Sequence, residues 1–194
     1  MNLQRLQSVC LMIEIIENAL SEDECSNMFS LINGSKIEHG ASYWLGDYID
    51  DLPIYWFDLD TDHPCKDLYI RLLGIASNYF DISAFIGYET WTHVNSRPGG
   101  DGVGWHQDKD ERLQLLRGIT KFPICSLIYY PFVDENMVGG KLEFNDRSIL
   151  PKTNMLVVFG PGIWHNVEGY TGERCSISIG PWNSKICQIK CYDP

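Results

Sequence analysis

The sequence predicts an α+β domain whose core is a β-sandwich or jelly roll. Two helical patterns come early, and after Tyr79 the chain changes to short strand patterns. Clusters of glycine and proline separate these strands: Pro98-Gly99-Gly100, Gly139-Gly140 and Gly160-Pro161-Gly162. Early helices followed by many closely spaced strands favour helices packed on a β core. With 194 residues, 44% of them hydrophobic, and no linker or repeat, we predict a single domain spanning residues 1–194.

The first half of this domain is predicted to supply a buried strand and two helices. Residues 9–16 read as a strand because they are rich in β-branched side chains. Ser21 and Glu24 have the spacing of a capping box, and Asn33-Gly34 ends the helix that follows. A second helix is predicted to open at Asp62-His63-Pro64. Its apolar face comprises Leu68, Leu72 and Ala76. Short strands are predicted between the helices at residues 42–45 and 54–59.

The second half is predicted to be mostly β-structure. The strands cover residues 84–95, 124–132, 141–144, 155–159 and 174–179. Residues 109–122, which lie between two of these strands, are charged. Two interpretations of this segment are equally consistent with its sequence: a lid or substrate loop, and a solvated connection between strands.

The charge balance limits the partners of the protein. The formal net charge is −11, which repels the phosphates of duplex nucleic acid, and no cluster of Lys and Arg offsets it. We therefore expect no duplex nucleic acid partner, and a basic peptide is easier to accommodate. No apolar run approaches the roughly 20 residues that cross a bilayer, and residues 9–16 lack the features of a signal peptide. We expect no membrane partner.

The seven cysteines indicate a reducing compartment. Their number is odd, they form no Cys-x-x-Cys pair, and most lie in apolar segments. We expect reduced core thiols in an intracellular, cytoplasmic protein. The alternative that Cys187 and Cys191 form half of a zinc site is left open.

The strongest functional pattern is Gly104-Trp105-His106-Gln107-Asp108. On an extended strand, residues i and i+2 share a face, so His106 and Asp108 would both point to the interior. A second histidine, His165, follows much later in the chain. One histidine in a chain with five is more often structural, but two imidazoles and a carboxylate form the facial triad that holds Fe(II) and leaves three positions open.

An arginine on a predicted strand adds a second pattern. Alternation places Arg174, Ser176 and Ser178 on one face. A buried arginine needs an anionic partner, and no acidic residue in this segment supplies one. A dicarboxylic co-substrate would do so through a bidentate pair, and an internal salt bridge is the alternative. Tyr130 shares a face with Ser126, and its phenol reaches the same carboxylate if that face is the interior one.

The order of these motifs resembles the Fe(II)/2-oxoglutarate-dependent dioxygenases, and within them the prolyl hydroxylase group. The matching motifs are His-x-Asp, Ile-Tyr-Tyr, Gly-Gly-x-Leu-x-Phe, Trp-His and Arg-x-Ser, over about residues 84–182. The resemblance implies a double-stranded β-helix (jelly roll) core with supporting N-terminal helices. It also implies that His106, Asp108 and His165 bind the iron.

The resemblance further implies how the co-substrate is held and used. Arg174 would bind the 5-carboxylate of 2-oxoglutarate with help from Ser176 and Tyr130, and Leu142 would line the pocket. The implied reaction consumes O2, hydroxylates a C–H bond of a peptide or small-molecule substrate, and releases succinate and CO2. A peptidyl proline is the preferred substrate.

Two features depart from the family, and they leave the substrate open. The prolyl hydroxylases often place a tyrosine on the strand before His-x-Asp, where this chain has Trp91-Thr92-His93-Val94-Asn95, and His93 or Asn95 would substitute for it. The 109–122 segment is also longer than the family suggests. The alternatives are the same chemistry on a free amino acid, metabolite or modified base, a non-catalytic jelly-roll binding module, and a cupin-type metalloenzyme that does not use 2-oxoglutarate.

Overall fold

The computed structural model describes residues 12–34, 55–94, 102–187 and 190–191. The strands are β1 (Ile13–Glu17), β2 (Tyr55–Asp58), β3 (Gly87–Val94), β4 (Val103–His106), β5 (Ser126–Val133), β6 (Val138–Gly139), β7 (Leu142–Phe144), β8 (Ser148–Ile149), β9 (Met155–Phe159), β10 (His165–Val167), β11 (Tyr170–Thr171), β12 (Arg174–Trp182) and β13 (Lys190–Cys191). The helices are α1 (Glu22–Gly34), α2 (Lys66–Ala76) and α3 (Glu111–Arg117). The strand predicted at residues 42–45 lies outside the described residues.

The strands form two main sheets. The large sheet has the order β1-β9-β5-β12-β3-β2-β13, and the small sheet has the order β4-β10-β7-β8. A third, two-stranded sheet pairs β11 with β6. Every pair is antiparallel except β13 with β2. The predicted α+β class, with few helices and many short strands, is therefore confirmed.

Strict alternation along the central strands separates two apolar layers. On β5, Leu127 and Tyr129 pack in the cluster that contains α1 and α2. Ile128 and Tyr130, on the other face, pack in the cluster that contains β7 and β8 of the small sheet. Because successive side chains of a strand point to opposite faces, the large sheet lies between the helices and the small sheet. The space between the two sheets is where the site lies.

The starts of α1 and α2 agree with the capping and proline patterns that predicted them. Glu24 accepts from the backbone N of Ser21 at 3.0 Å, and Ser21 Oγ accepts from the backbone N of Glu24 at 3.3 Å, so the predicted capping box is confirmed. The second helix begins at Lys66, two residues after Pro64. Its predicted apolar face is buried.

Six short strands, β4, β6, β8, β10, β11 and β13, were not among the predicted strands, and the predicted strands differ from the structure mainly at their ends. The strand predicted from residue 84 begins at Gly87, because residues 81–85 form turns in which Asp81 Oδ1 accepts from Ser83 N and Ile82 O accepts from Phe85 N. The strand predicted to end at residue 179 continues to Trp182, which pairs with Gly87. Turn bonding and neighbouring strands decide these ends.

The cysteines follow the prediction where they are described. Cys25, Cys65, Cys125 and Cys175 are buried free thiols, and Cys187 is an exposed one. The side chain of Cys191 lies outside the described residues, so the zinc alternative stays a prediction. None of the helices in the described ranges is long and apolar enough to cross a membrane.

Candidate metal centre

The two histidines of the predicted triad face each other across one strand pair of the small sheet. His106 ends β4 and His165 begins β10, and they are direct partners in the antiparallel register. Their ring centroids are 4.1 Å apart. The ring of Phe159 packs edge-on against His165 at 4.8 Å between centroids. Strand pairing and packing thus bring together two residues that are far apart in the sequence.

Asp108 completes the cluster from just beyond a strand end. Its Oδ1 lies 3.8 Å from Nε2 of His106 and 3.7 Å from Nε2 of His165. All three potential ligand atoms lie within 4.8 Å of one another. The strand ends at His106, so Asp108 is not on the strand as the i, i+2 argument assumed. The three side chains nevertheless converge as the motif predicted.

Backbone carbonyls orient both imidazoles. Nδ1 of His106 lies 2.7 Å from O of Gly104, and Nδ1 of His165 lies 3.1 Å from O of Ile163. A carbonyl oxygen only accepts hydrogen bonds, so each Nδ1 carries the proton and donates it. The lone pair of each ring then lies on Nε2, the atom that faces Asp108. This is the arrangement that metal-binding histidines require.

The electrostatics favour the neutral imidazole. Burial lowers the pKa of His106, and the neighbouring His165 lowers it further, while the carboxylate of Asp108 opposes the shift. A metal binds the deprotonated Nε2. The lowered pKa of His106 therefore favours the form of this imidazole that binds a metal.

A pocket of about 420 Å³, a volume that includes open solvent at its mouth, lies beside the histidines. Its lining comprises Trp91, His93, Val103, His106, Ile128, Tyr130, His165, Val167, Arg174, Ser176 and Ser178. The predicted residues Tyr130, Arg174 and Ser176 are among them. Leu142 is not, because it lies fully buried in the adjoining apolar cluster with Ile128 and Tyr130.

Arg174 carries a buried positive charge into this pocket. It is 4% exposed, and its Nη1 donates to O of Gly140 at 3.0 Å. The guanidinium carbon lies 4.3 Å from the ring centroid of Tyr170 and 5.7 Å from that of Tyr130. Among the described residues, no carboxylate pairs with Arg174, and its buried Nε has no hydrogen-bond partner. The internal salt bridge left open by the sequence is thus not found there, and the pocket is suited to an anion.

Several residues of the site escaped the sequence analysis. Gln107 Nε2 donates to O of Gly162 at 2.6 Å, which ties the His-x-Asp segment to the turn before His165. His93, which the sequence analysis offered as a substitute for the missing tyrosine, lines the pocket and shares a face of β3 with Trp91. His93 stands opposite Ser176 in the register, while Asn95 lies outside the described residues. No sequence pattern could have predicted that Tyr170 lies beside Arg174, because its position depends on the two-residue pairing of β11 with β6.

A buried carboxyl group lies near Asp108. Glu89 is 5% exposed, and Trp182 Nε1 donates to its Oε1 at 3.0 Å. Burial and the nearby charge of Asp108 raise the pKa of Glu89 to about 8, against the effect of the Trp182 bond. At neutral pH the carboxyl group is therefore mostly protonated.

The chain is similar to known proteins in structure. No protein-family model and no curated protein sequence matches it. A prolyl-4-hydroxylase from Pseudomonas putida is similar at 18% identity, with a TM-score of 0.63 over 94% of this chain and 97% of that one. A prolyl hydroxylase from Trichoplax adhaerens, in complex with a hypoxia inducible factor oxygen degradation domain peptide fragment, gives a TM-score of 0.58 at 16% identity over 93% and 86% of the two chains. The chain shares the fold of these prolyl hydroxylases.

A third protein with the prolyl hydroxylase fold is a viral one. The 2OG complex of the collagen prolyl hydroxylase from Paramecium bursaria Chlorella virus-1 gives a TM-score of 0.56 at 16% identity, over 89% of this chain and 96% of that one. The structural similarity establishes a shared fold. Because the sequence identities are low, the roles of individual residues are argued from the geometry of this chain alone.

Proposed function

We propose that this protein is an Fe(II)- and 2-oxoglutarate-dependent dioxygenase that hydroxylates a C–H bond and releases succinate and CO2. The observation that carries the proposal is the position of Asp108. One of its oxygens lies 3.7–3.8 Å from Nε2 of both histidines, whose Nδ1 atoms are held by backbone carbonyls. Two imidazole nitrogens and one carboxylate oxygen thus lie within 4.8 Å of one another.

The donor set fits iron. His106, Asp108 and His165 offer two imidazole nitrogens and one carboxylate oxygen, the set that binds non-haem Fe(II) with open positions. Structural zinc sites, by contrast, have four protein ligands, and no fourth His, Cys, Asp or Glu joins this cluster in the part of the chain that the structure describes. When bound, iron with 2-oxoglutarate and O2 would supply the oxidising chemistry.

In this proposal Arg174 binds the distal carboxylate of 2-oxoglutarate. Its buried guanidinium has further N–H donors beside the one bonded to Gly140. A bidentate pair with a carboxylate would satisfy the Nε atom, which lacks a partner among the described residues. Burial raises the pKa of Tyr130, against the effect of the Arg174 charge, so its phenol stays protonated and can donate to the same carboxylate. Ser176 lies beside them on the pocket wall, and Leu142 supports Tyr130 from the apolar cluster.

For the fold, we propose that the two sheets form the double-stranded β-helix (jelly roll) implied by the sequence motifs, within one domain covering residues 1–194. The large and small sheets share an apolar cluster and enclose the pocket between them, as in a jelly roll. The buried free thiols support an intracellular, cytoplasmic location.

A polypeptide is our proposed substrate, and a peptidyl proline is the preferred residue. The similarity to prolyl hydroxylases, one of them in complex with a peptide fragment, supports this choice. The net charge of −11 argues against duplex nucleic acid, and we propose no membrane partner. The same chemistry on a free amino acid or small metabolite is the alternative.

The direct test is spectroscopic. Anaerobic addition of Fe(II) and 2-oxoglutarate should give a weak visible metal-to-ligand charge-transfer band, and Asp108→Ala should remove it. Asp146→Ala, at an exposed carboxylate that pairs with Arg147, is the matched control and should keep the band. If wild-type protein binds Fe(II) and 2-oxoglutarate without such a band, the proposed chelation is wrong.

A second pair of variants tests the non-catalytic and cupin-type alternatives. Arg174→Gln should raise the 2-oxoglutarate concentration for half-maximal band intensity more than tenfold, because truncating a buried charge partner costs about 2–5 kcal/mol. Fe(II) affinity should stay unchanged, and Arg147→Gln at the surface should change neither value. Turnover that survives Arg174→Gln intact would favour the cupin-type enzyme. Binding without any conversion of 2-oxoglutarate to succinate would favour the binding module.

The substrate classes are separated by product analysis. Proline-containing peptides and free metabolites are each incubated with the loaded enzyme, and mass spectrometry looks for addition of one oxygen atom. Oxygen addition to peptides only supports the peptidyl substrate, and addition to metabolites only supports the alternative.

A further inference from the structure

The segment between the metal centre and β5 presents an unusual surface. It begins directly after Asp108, and the backbone N of Asp110 donates to O of Lys121 at 2.9 Å, so its two ends meet. We call residues 109–121, which include α3, the 109–121 segment. Its central helix has seven residues, so it is about 10 Å long, and it begins three residues after Asp108.

Hydrogen bonds within the 109–121 segment, and from it to Ser184 and Cys187, hold its conformation. Asp110 caps α3, with its Oδ1 accepting from Leu113 N at 2.9 Å and its Oδ2 accepting from Cys187 N at 2.7 Å. Gly118 ends the helix in the left-handed conformation and donates its N–H to O of Gln114. Lys121 Nζ donates to Ser184 Oγ. These hydrogen bonds therefore stabilise the conformation in which the side chains of the segment are exposed.

Three large apolar side chains of this segment face solvent. Leu115 is 74% exposed, Leu116 is 66% exposed and Ile119 is 52% exposed. Nearby, Phe122 packs against Gly162 in the turn that leads to Trp164, which is itself 46% exposed. Exposed apolar side chains grouped beside a site mark a binding surface more often than scattered ones do.

The same surface is cationic in an acidic protein. Residues 109–121 hold four of the 15 Lys and Arg residues but only two of the 26 Asp and Glu residues. Of those two, Asp110 is 2% exposed and bonded to backbone N–H groups, and Glu111 pairs with Lys109 at 3.5 Å. Arg112 and Arg117 flank the exposed leucines on α3. Residues 109–121 thus carry a formal net charge of +2, which is opposite in sign to that of the protein as a whole.

We infer that the 109–121 segment is the docking surface for the substrate, and that this substrate is an acidic polypeptide segment with apolar side chains. The inference rests on the proposed function and names its substrate class. Leu115, Leu116 and Ile119 would be covered by apolar side chains of the partner, and Arg117 would face its carboxylates. The overall net charge pointed instead to a basic peptide, and the local surface reverses that expectation because charge complementarity acts over roughly a Debye length of 8–10 Å.

The probes for the test are three fluorescein-labelled peptides of equal length. The first alternates Leu with Asp or Glu around one Pro, the second replaces each acidic residue with Lys, and the third replaces each Leu with Ser. Fluorescence anisotropy with the full chain should give an affinity for the first peptide at least tenfold higher than for either of the others. Equal or tighter binding of the Lys peptide, or no binding of the first peptide, overturns the inference.

Variants then locate the binding surface. Leu115→Ser combined with Leu116→Ser should weaken binding of the acidic peptide at least tenfold, while Leu150→Ser, at a residue that is 54% exposed elsewhere, should leave it unchanged. Arg117→Gln should weaken binding and reduce its salt dependence, and Arg147→Gln should not. Unchanged binding by the double variant refutes the docking surface. Since these side chains are exposed, thermal melting should shift little.

Two further outcomes separate this inference from its rivals. If sedimentation shows a wild-type dimer that the double leucine variant converts to a monomer, a second copy of the chain covers the surface and the inference is wrong. If the charge-transfer band forms but the acidic peptide does not bind, only the docking surface fails. If the peptide binds but the band never forms, the oxygenase proposal fails and the surface stands.

Discussion

His165 lies directly opposite His106 in the β10–β4 pair, with ring centroids 4.1 Å apart. Both side chains reach the interior only in this register, since a slip of one residue would turn one of the two histidines to the other face. Asp108 then joins them from beyond the strand end. The candidate metal centre therefore depends on the pairing of two short strands, and on what holds them in place.

Gln107 is expected to be a positioning residue for the metal centre. Its amide donates to O of Gly162 at 2.6 Å and so fixes the turn that presents His165. Gln107→Ala should weaken Fe(II) binding at least tenfold, the range found when groups that orient ligands are removed. Anaerobic Fe(II) titration measures this. Gln114→Ala, which removes a 3.3 Å bond to Thr120, is the control, and equal affinities of the two variants would contradict the role.

Gly139 and Gly118 allow a matched test of the wall beside Arg174. Both have positive φ, +83° and +65°. A Cβ at Gly118 would meet nothing within 4 Å, whereas a Cβ at Gly139 would lie 2.3 Å from O of Gly169. Gly118→Ala should therefore cost only the left-handed strain of about 1–2 kcal/mol.

Gly139→Ala should lose about 1–3 kcal/mol more, because the backbone of β6 and β11 must shift. The neighbouring Gly140, whose carbonyl accepts from Arg174, would shift with it, so 2-oxoglutarate affinity should also fall. Urea unfolding and the band titration measure the two effects. Equal losses of stability in the two alanine variants would show that the close approach to Gly169 is relieved without cost.

Glu89 should make the metal-free protein less stable as the pH rises. The pKa of Glu89 is raised to about 8, so between pH 4.5 and 8 the unfolded chain loses this proton while the folded protein keeps it. Stability from this group is full below about pH 4.5 and is lost as the pH rises through 8. Glu89→Gln keeps an acceptor for Trp182, and its stability relative to wild type should be about 4 kcal/mol more favourable at pH 8.5 than at pH 4.5. Urea unfolding at both pH values tests this, and a difference that does not change with pH would show that Glu89 ionises normally.

Burial of His63 should make the protein less stable as the pH falls, which is opposite to the effect of Glu89. It is 6% exposed and hydrogen-bonded to the hydroxyl of Tyr88 at 2.7 Å. Burial, helped by Lys66 and opposed by Asp62, lowers the pKa of His63 to about 4. The unfolded chain binds this proton first, so stability is full above about pH 6.5 and is lost as the pH falls toward 4.

The measurement is the difference between His63→Gln and wild type, since other groups also titrate in this range. Wild type should lose about 3 kcal/mol more than the variant between pH 7 and pH 4. Parallel curves for the two proteins would mean that His63 is protonated at no cost in the fold.

Much of the fold could be predicted because its signals are local. The capping box at Ser21 and Glu24 and the strand at residues 155–159 came from spacing and side-chain type, and both are present. The ends of β3 and β12 could not be predicted, because turn bonds at Asp81 and Ser83 end one and the pairing of Trp182 with Gly87 extends the other. The condition that residues 106–108 are extended as one strand is not met, since β4 stops at His106.

By itself, the sequence determined the residue types and their spacing. It predicted two histidines and an aspartate as metal donors, and it placed Arg174, Ser176 and Tyr130 on strands whose side chains alternate between two faces. Alternation is a property of the backbone, so it could be read without the fold. Only the tertiary structure decided that the donors meet, that Tyr170 and Gly140 enclose the guanidinium, and that no carboxylate pairs with Arg174 among the described residues. Those features depend on strand register and on contacts between residues distant in sequence, which no local pattern encodes.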